Sequence, residues 1–229
     1  MSFENNWREH CYAVTKQCRY LLQEPDCLRA KPILIIALHG YGQTPEEMLR
    51  LTRLAVGKDK AIASLAGPNE YFLDPNPSTS KVGYNWGTRN HWAQAVLMHH
   101  SMLNTVLSSL QPELGIPRAR TLLFGYSQSV GLNYRFAGTY PNAIGAIVAI
   151  CGGVPKDWEE PSLYQKVSAP ILHISRDQDE FFPAEVAAGF KRRLEAHATN
   201  VTFQMMEGPH RFPSKAAEVI LPWIERVLA

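Results

Sequence analysis

No stretch of the 229-residue chain stays apolar for the roughly 20 residues that a membrane-spanning helix needs. The opening residues, Met1 to His10, are polar and lack the apolar stretch of a secretory signal. These two absences exclude a membrane span and make a soluble, cytoplasmic protein the expectation. Cysteine is scarce as well. The four residues Cys11, Cys18, Cys27 and Cys151 show no Cys-x-x-Cys spacing, so neither a zinc site nor a redox pair is expected. Cys11 and Cys18 would come near each other in a hairpin, but free thiols of a reducing compartment are the plainer reading. Charge of one sign is also missing: 23 basic residues face 21 acidic ones, and the basic residues are scattered. Lys191-Arg192-Arg193 reads as the solvated face of a helix, so nucleic acid is not an expected partner. No internal repeat or low-complexity tract is visible.

What is present is ordinary for a globular chain, with 45% apolar and 19% charged residues, and the length suits one domain spanning 1–229. The segment from Glu9 to Gln23 is rich in β-branched and aromatic residues and reads as an antiparallel hairpin or strand pair. The aliphatic run Ile33 to Leu38 reads as a strand buried on both faces of a parallel sheet. Thr44-Pro45-Glu46-Glu47 opens a helix, with a capping hydroxyl, a proline at the first helical position and acids near the positive end of the dipole. Strand and helix then alternate. Strands are expected at 61–65, 122–124, 144–150, 171–174 and 201–205, and helices at 92–110, 130–140, 183–197 and 214–228. This rhythm predicts an α/β fold: a doubly wound, mostly parallel sheet with an N-terminal antiparallel hairpin. Two stretches break it, the Pro/Asn/Gly-rich loop 67–87 and the shorter loop 152–169.

Chemistry concentrates at the ends of the predicted strands. Gly125-Tyr126-Ser127-Gln128-Ser129 follows the apolar run Thr121 to Phe124 and reads as a nucleophile elbow, a tight strand-to-helix turn that exposes a serine hydroxyl. Read alone, the same residues also fit a serine capping a helix. A serine needs a base to take its proton and an acid to orient that base. The loop Arg176-Asp177-Gln178-Asp179-Glu180 follows one later strand, and Glu207-Gly208-Pro209-His210 follows another. Ser127, an aspartate (177 or 179) and His210 thus share the carboxyl edge of the sheet, where open parallel sheets carry their sites. His197 reads as a solvent-facing helix end and His173 as part of a buried strand, which leaves His210 in the setting of a base. The turn Leu38-His39-Gly40-Tyr41-Gly42 offers the N–H of Tyr41 as one oxyanion donor, with the N–H of Gln128 as the other. His39 reads as a turn histidine that orders its own loop.

These motifs, 38–42, 125–129, 177–183 and 208–210, resemble those of the phospholipase/carboxylesterase family of α/β-hydrolases, the group that includes acyl-protein thioesterases. The likeness runs from about Ile33 to the end. It implies an α/β-hydrolase fold, hydrolysis of a small ester or thioester through an acyl-enzyme, and no cofactor. In the family the acid stands four residues before a proline, which implies Asp179, ahead of Pro183, as the acid and leaves Asp177 bonding its own loop. A family tryptophan near the catalytic face implies Trp86, with Tyr41, as pocket wall, although Trp86 also reads as a plug that anchors its loop. Ser129 stands where the family has glycine and would tighten the elbow or narrow the pocket. Phe181 and Phe182 replace smaller aliphatics and would put bulk beside the acyl group. His99 and His100 are adjacent on a helix, share no face and read as exposed residues rather than metal ligands. Trp7, Trp158 and Trp223 look structural. Two rival readings remain: a peptidase or acyl-transferase on the same fold, and a non-catalytic ligand-binding homologue.

Overall fold

Alternation on two buried faces accounts for the long apolar run at the start of the sheet. The computed structural model describes residues 7–26 and 31–228. Seven strands form one sheet in the order β1 (Tyr20–Gln23), β3 (Ala61–Leu65), β2 (Leu34–Leu38), β6 (Thr121–Tyr126), β7 (Ala146–Ile150), β8 (Ile171–Gln178) and β9 (Val201–Pro209). Leu34, Ile36 and Leu38 point to one side, where helices α2 (Trp92–Glu113) and α3 (Gln128–Thr139) cover them with Leu103, Leu107, Val130 and Phe136. Ile35 and Ala37 point to the other, against α1 (Pro45–Val56) and α6 (Ala216–Val227) through Met48, Val56, Ile220 and Trp223. A strand whose successive side chains are all buried has to be apolar at every position.

Within this seven-stranded sheet the pairings across β3, β2, β6, β7, β8 and β9 are all parallel, and only β1 runs antiparallel, against β3. The N-terminal antiparallel element is therefore present, but its partner is β3 instead of a neighbouring strand within 9–19, which carries no regular structure. Helix α1 starts as its residues dictate: Thr44 Oγ1 accepts from Glu47 N–H at 3.2 Å, and Glu47 Oε2 accepts from Thr44 N–H at 3.2 Å. Among the described residues, no helix is long and apolar enough to cross a membrane.

Four expectations need correction. The stretch 67–87 holds a small hairpin, β4 (Asn69–Phe72) against β5 (Val82–Asn85), whose strands are too short to show a period; the run Pro75-Asn76-Pro77 belongs to the turn between them. The helix expected over 183–197 is split into α4 (Ala184–Ala187) and α5 (Phe190–Leu194), with Gly189 in the break. His99, His100 and His197 are buried instead of exposed, because their rings pack against Trp86, Phe136 and Trp158 respectively. Trp7 is exposed, while Trp158 and Trp223 are core residues. Cys11 and Cys18 are free and exposed, Cys151 is free and buried, and Cys27 lies outside the described residues.

Burial holds four imidazoles neutral. It lowers His39 and His100 to about 4, and His99 and His173 to about 3. Below pH of about 6.5 the unfolded chain takes up protons at these rings and the folded chain does not, so stability falls as pH drops. The unfolding free energy is expected to lose about 1.4 kcal/mol per pH unit per imidazole between pH of about 6 and 4. Urea denaturation across a pH series checks this; an unchanged midpoint from neutral pH to pH of about 5 would refute it.

Candidate active site

Strand β6 is fully buried and delivers Gly125 and Tyr126 into a sharp turn at Ser127, whose backbone is forced to φ 55° and ψ −112°. Residues with a Cβ resist this region, so the surroundings have to hold it. Gly125 makes the turn possible: a Cβ there would lie 2.5 Å from Asn133 Nδ2 of α3. Gly40 allows the turn after β2 to close on the serine, since a Cβ there would meet Ser127 Cβ at 3.1 Å and Tyr126 Cδ1 at 3.0 Å. Ser129 tightens the elbow. Its hydroxyl, fully buried, bonds Leu38 O at 2.9 Å and accepts from Tyr126 N–H at 3.1 Å, tying the ends of β2 and β6 together.

Ser127 Oγ stands 2.8 Å from His210 Nε2, and His210 Nδ1 stands 2.7 Å from Asp179 Oδ2. The Asp179 carboxylate is almost wholly shielded, and its other oxygen accepts from the N–H groups of Phe181 and Phe182, both at 2.9 Å. A shielded carboxylate is tolerable only with its lone pairs occupied, and these donors hold it in place. Because the carboxylate can only accept, the imidazole proton sits on Nδ1 and the Nε2 lone pair faces the serine. The three side chains named from their strand-end loops thus meet, although 83 residues separate Ser127 from His210.

Two acids grip the histidine loop from the same segment as Asp179. Asp177 Oδ1 accepts from Gly208 N–H at 2.7 Å, and Glu180 Oε2 accepts from His210 N–H at 3.0 Å. Asp177 therefore bonds the neighbouring loop and not its own. Glu180 was missed in sequence; the run of three acids in five residues was the available signal.

Around the N–H of Tyr41 the backbone is fixed on both sides: Gly40 N–H donates to Gln43 Oε1 at 2.8 Å and Gly42 N–H to Tyr84 O at 2.9 Å. The N–H of Gln128 is at the first position of α3, where no preceding turn supplies an acceptor. His39 orders this region, as expected of a turn histidine. Its Nδ1 donates to Gly40 O at 2.7 Å while its Nε2 accepts from Gly67 N–H at 2.8 Å, a pattern that requires the neutral ring. The Gln128 side chain accepts from Trp86 N–H at 3.0 Å and donates to Gly87 O at 2.8 Å, fastening the end of the β4–β5 hairpin to the elbow.

Trp86 anchors its loop. It has no exposed surface, and its Nε1 donates to His39 O at 2.8 Å. Phe181 is 68% exposed and meets the His210 ring edge-on at 4.8 Å, while half-buried Phe182 packs over Gly153. A cleft of about 590 Å³ opens between Tyr41, Gly87, Thr88, Arg89, Trp92 and Gln128. Among the described residues, the ligand atoms of Glu9, Cys11 and His91 are the group close enough together to share a cation, and all three are exposed. The relay above needs no such ion.

The sequence model of the Phospholipase/Carboxylesterase family matches residues 27–228. The chain belongs to that family. No curated protein matches the chain by sequence. Among solved structures, this member of the family resembles the Bacillus cereus carboxylesterase at 17% identity and a TM-score of 0.69, covering 92% of this chain and 94% of that one. It resembles esterase PE8 at 18% identity and a TM-score of 0.75, covering 93% and 100%. Arabidopsis thaliana SOBER1 is similar at 19% identity and a TM-score of 0.67, covering 87% and 100%. At these identities the likeness is one of fold, and it fits the α/β-hydrolase arrangement of the sheet.

Ser129→Ala removes a buried hydroxyl and strands its partners, so it is expected to cost about 1–3 kcal/mol of stability, read from urea denaturation. A variant as stable as the parent would show that the elbow holds without this bridge.

Proposed function

We propose that the protein is a serine hydrolase that cleaves carboxylic esters or thioesters through an acyl-enzyme. The observation that carries the reading is the unbroken relay from Ser127 Oγ to His210 to Asp179, with steps of 2.8 and 2.7 Å. Family membership supports the reaction class.

In this reading His210 Nε2 takes the Ser127 proton as Oγ attacks the carbonyl carbon. Asp179 steadies the imidazolium that forms. The negative charge gathers on the carbonyl oxygen, where the N–H groups of Tyr41 and Gln128 meet it; two such donors are worth several kcal/mol to the transition state. When the tetrahedral intermediate collapses, the imidazolium gives its proton to the departing alkoxide or thiolate. Water then enters, His210 takes one of its protons, and the hydroxide attacks the acyl-enzyme. Collapse releases the carboxylic acid, and Oγ recovers its proton from the imidazolium. Serine, imidazole and carboxylate supply every proton movement, so the mechanism calls on no cofactor. Of the rival readings, a non-catalytic binder gives no reason to maintain a strained serine aligned with a base. Amide cleavage or acyl transfer would use the same relay, and nothing observed favours either over attack by water on an ester.

A fluorophosphonate probe is expected to label Ser127 alone, and Ser127→Ala to lose both labelling and hydrolysis of a short p-nitrophenyl ester. Hydrolysis that survives the substitution would sink the proposal. Asp177→Ala and Glu180→Gln each loosen the loop that aims the base. Each is expected to lower kcat by roughly tenfold with KM nearly unchanged, measured on the same ester.

A further inference from the structure

We infer that Arg89 is an anion subsite, and that the substrate is an ester carrying a carboxylate a few bonds from its scissile carbonyl. The inference rests on the ester-hydrolase reading above and extends it to a class of substrate. Tyr41 and Gln128, whose N–H groups are the proposed oxyanion donors, both border the cleft of about 590 Å³, so a carbonyl held by them extends part of its molecule into that space. Of the residues lining the cleft, Arg89 alone is charged. Four other arginines pair with carboxylates: Arg19 with Glu46, Arg53 with Asp26, Arg135 with Asp157 and Arg193 with Glu159. Among the described residues no carboxylate pairs with Arg89. An unpaired guanidinium beside a reaction centre presents a planar fork of donors that matches a carboxylate.

The rest of the cleft fits the part of such a substrate between its two polar ends. Tyr41 is 59% exposed and Trp92 half-buried, and both line the cleft, which gives a short methylene chain apolar surface. Arg135 stacks on the Trp92 ring at 5.9 Å, a contact that steadies the ring. Gly87, also at the cleft, is fixed through its carbonyl to the Gln128 side chain. The start of the loop that carries Arg89 is therefore tied to the elbow that carries the serine. A guanidinium on that loop, beside the cleft, selects substrates by charge.

The test compares kcat/KM for three esters: ethyl hexanoate, monoethyl adipate with the charge on the acyl side, and O-hexanoylglycolate with the charge on the alcohol side. One of the charged esters is expected to be preferred over ethyl hexanoate by about tenfold, and Arg89→Gln to remove that preference. Binding of monoethyl adipate and O-hexanoylglycolate to Ser127→Ala protein, followed by tryptophan fluorescence, gives a readout without turnover. Adding Arg89→Gln is expected to weaken it by a similar factor. Hydrolysis of ethyl hexanoate with no Arg89-dependent preference would overturn the subsite and leave the hydrolase reading standing. Arg89-dependent binding without hydrolysis of any ester by the parent protein would uphold the subsite and overturn the hydrolase reading.

Discussion

Ser127 is bent into backbone space that side chains avoid, and much of the surrounding structure serves to keep it there. The glycine at 125 removes an obstacle beneath the turn, the glycine at 40 removes one beside it, and the hydroxyl of Ser129 pins the two strand ends that converge on it. Strain of this kind costs on the order of 1–3 kcal/mol and survives only when neighbouring contacts over-determine it. The parallel strands supply that determination. β2 and β6 are hydrogen-bonded neighbours buried on both faces, so their ends cannot drift independently.

The second constraint is electrostatic. Three carboxylates lie within four consecutive residues, 177 to 180, and each accepts from a group on the neighbouring histidine loop: Asp177 from the Gly208 N–H, Asp179 from the His210 ring, Glu180 from the His210 N–H. One of the three orients the imidazole and the other two set where its backbone lies. Like charges so close repel one another, and the donors they face offset that repulsion. The exposed positions of Asp177 and Glu180 let water screen what remains, while only Asp179 is withdrawn from solvent.

The fold was legible because its signal is covalent and local. A strand buried on both sides must be continuously apolar, and Ile33 to Leu38 could be read at once. The residues of the relay were legible because each follows a predicted strand in a loop with few other candidates. What stayed hidden depends on distance across the fold. Nothing in the sequence reveals that His99 and His100 face Trp86 and Phe136, since burial of a helix face is decided by what packs on it. The hairpin within 67–87 was hidden because strands of four residues carry too little pattern. Gln128 was named for its backbone, and its side-chain bonds to residues 86 and 87 belong to a contact 41 and 42 positions away.

The sheet order carries one more consequence. β9, which bears His210, is the last strand, bonded to β8 on one side only, whereas Ser127 rises from the fully enclosed β6. Peripheral segments of a domain open at lower free energy than its centre. Fraying of that single border would carry the imidazole away while the serine kept its shape. The alignment of the three side chains therefore depends on the border of the sheet as well as on its centre.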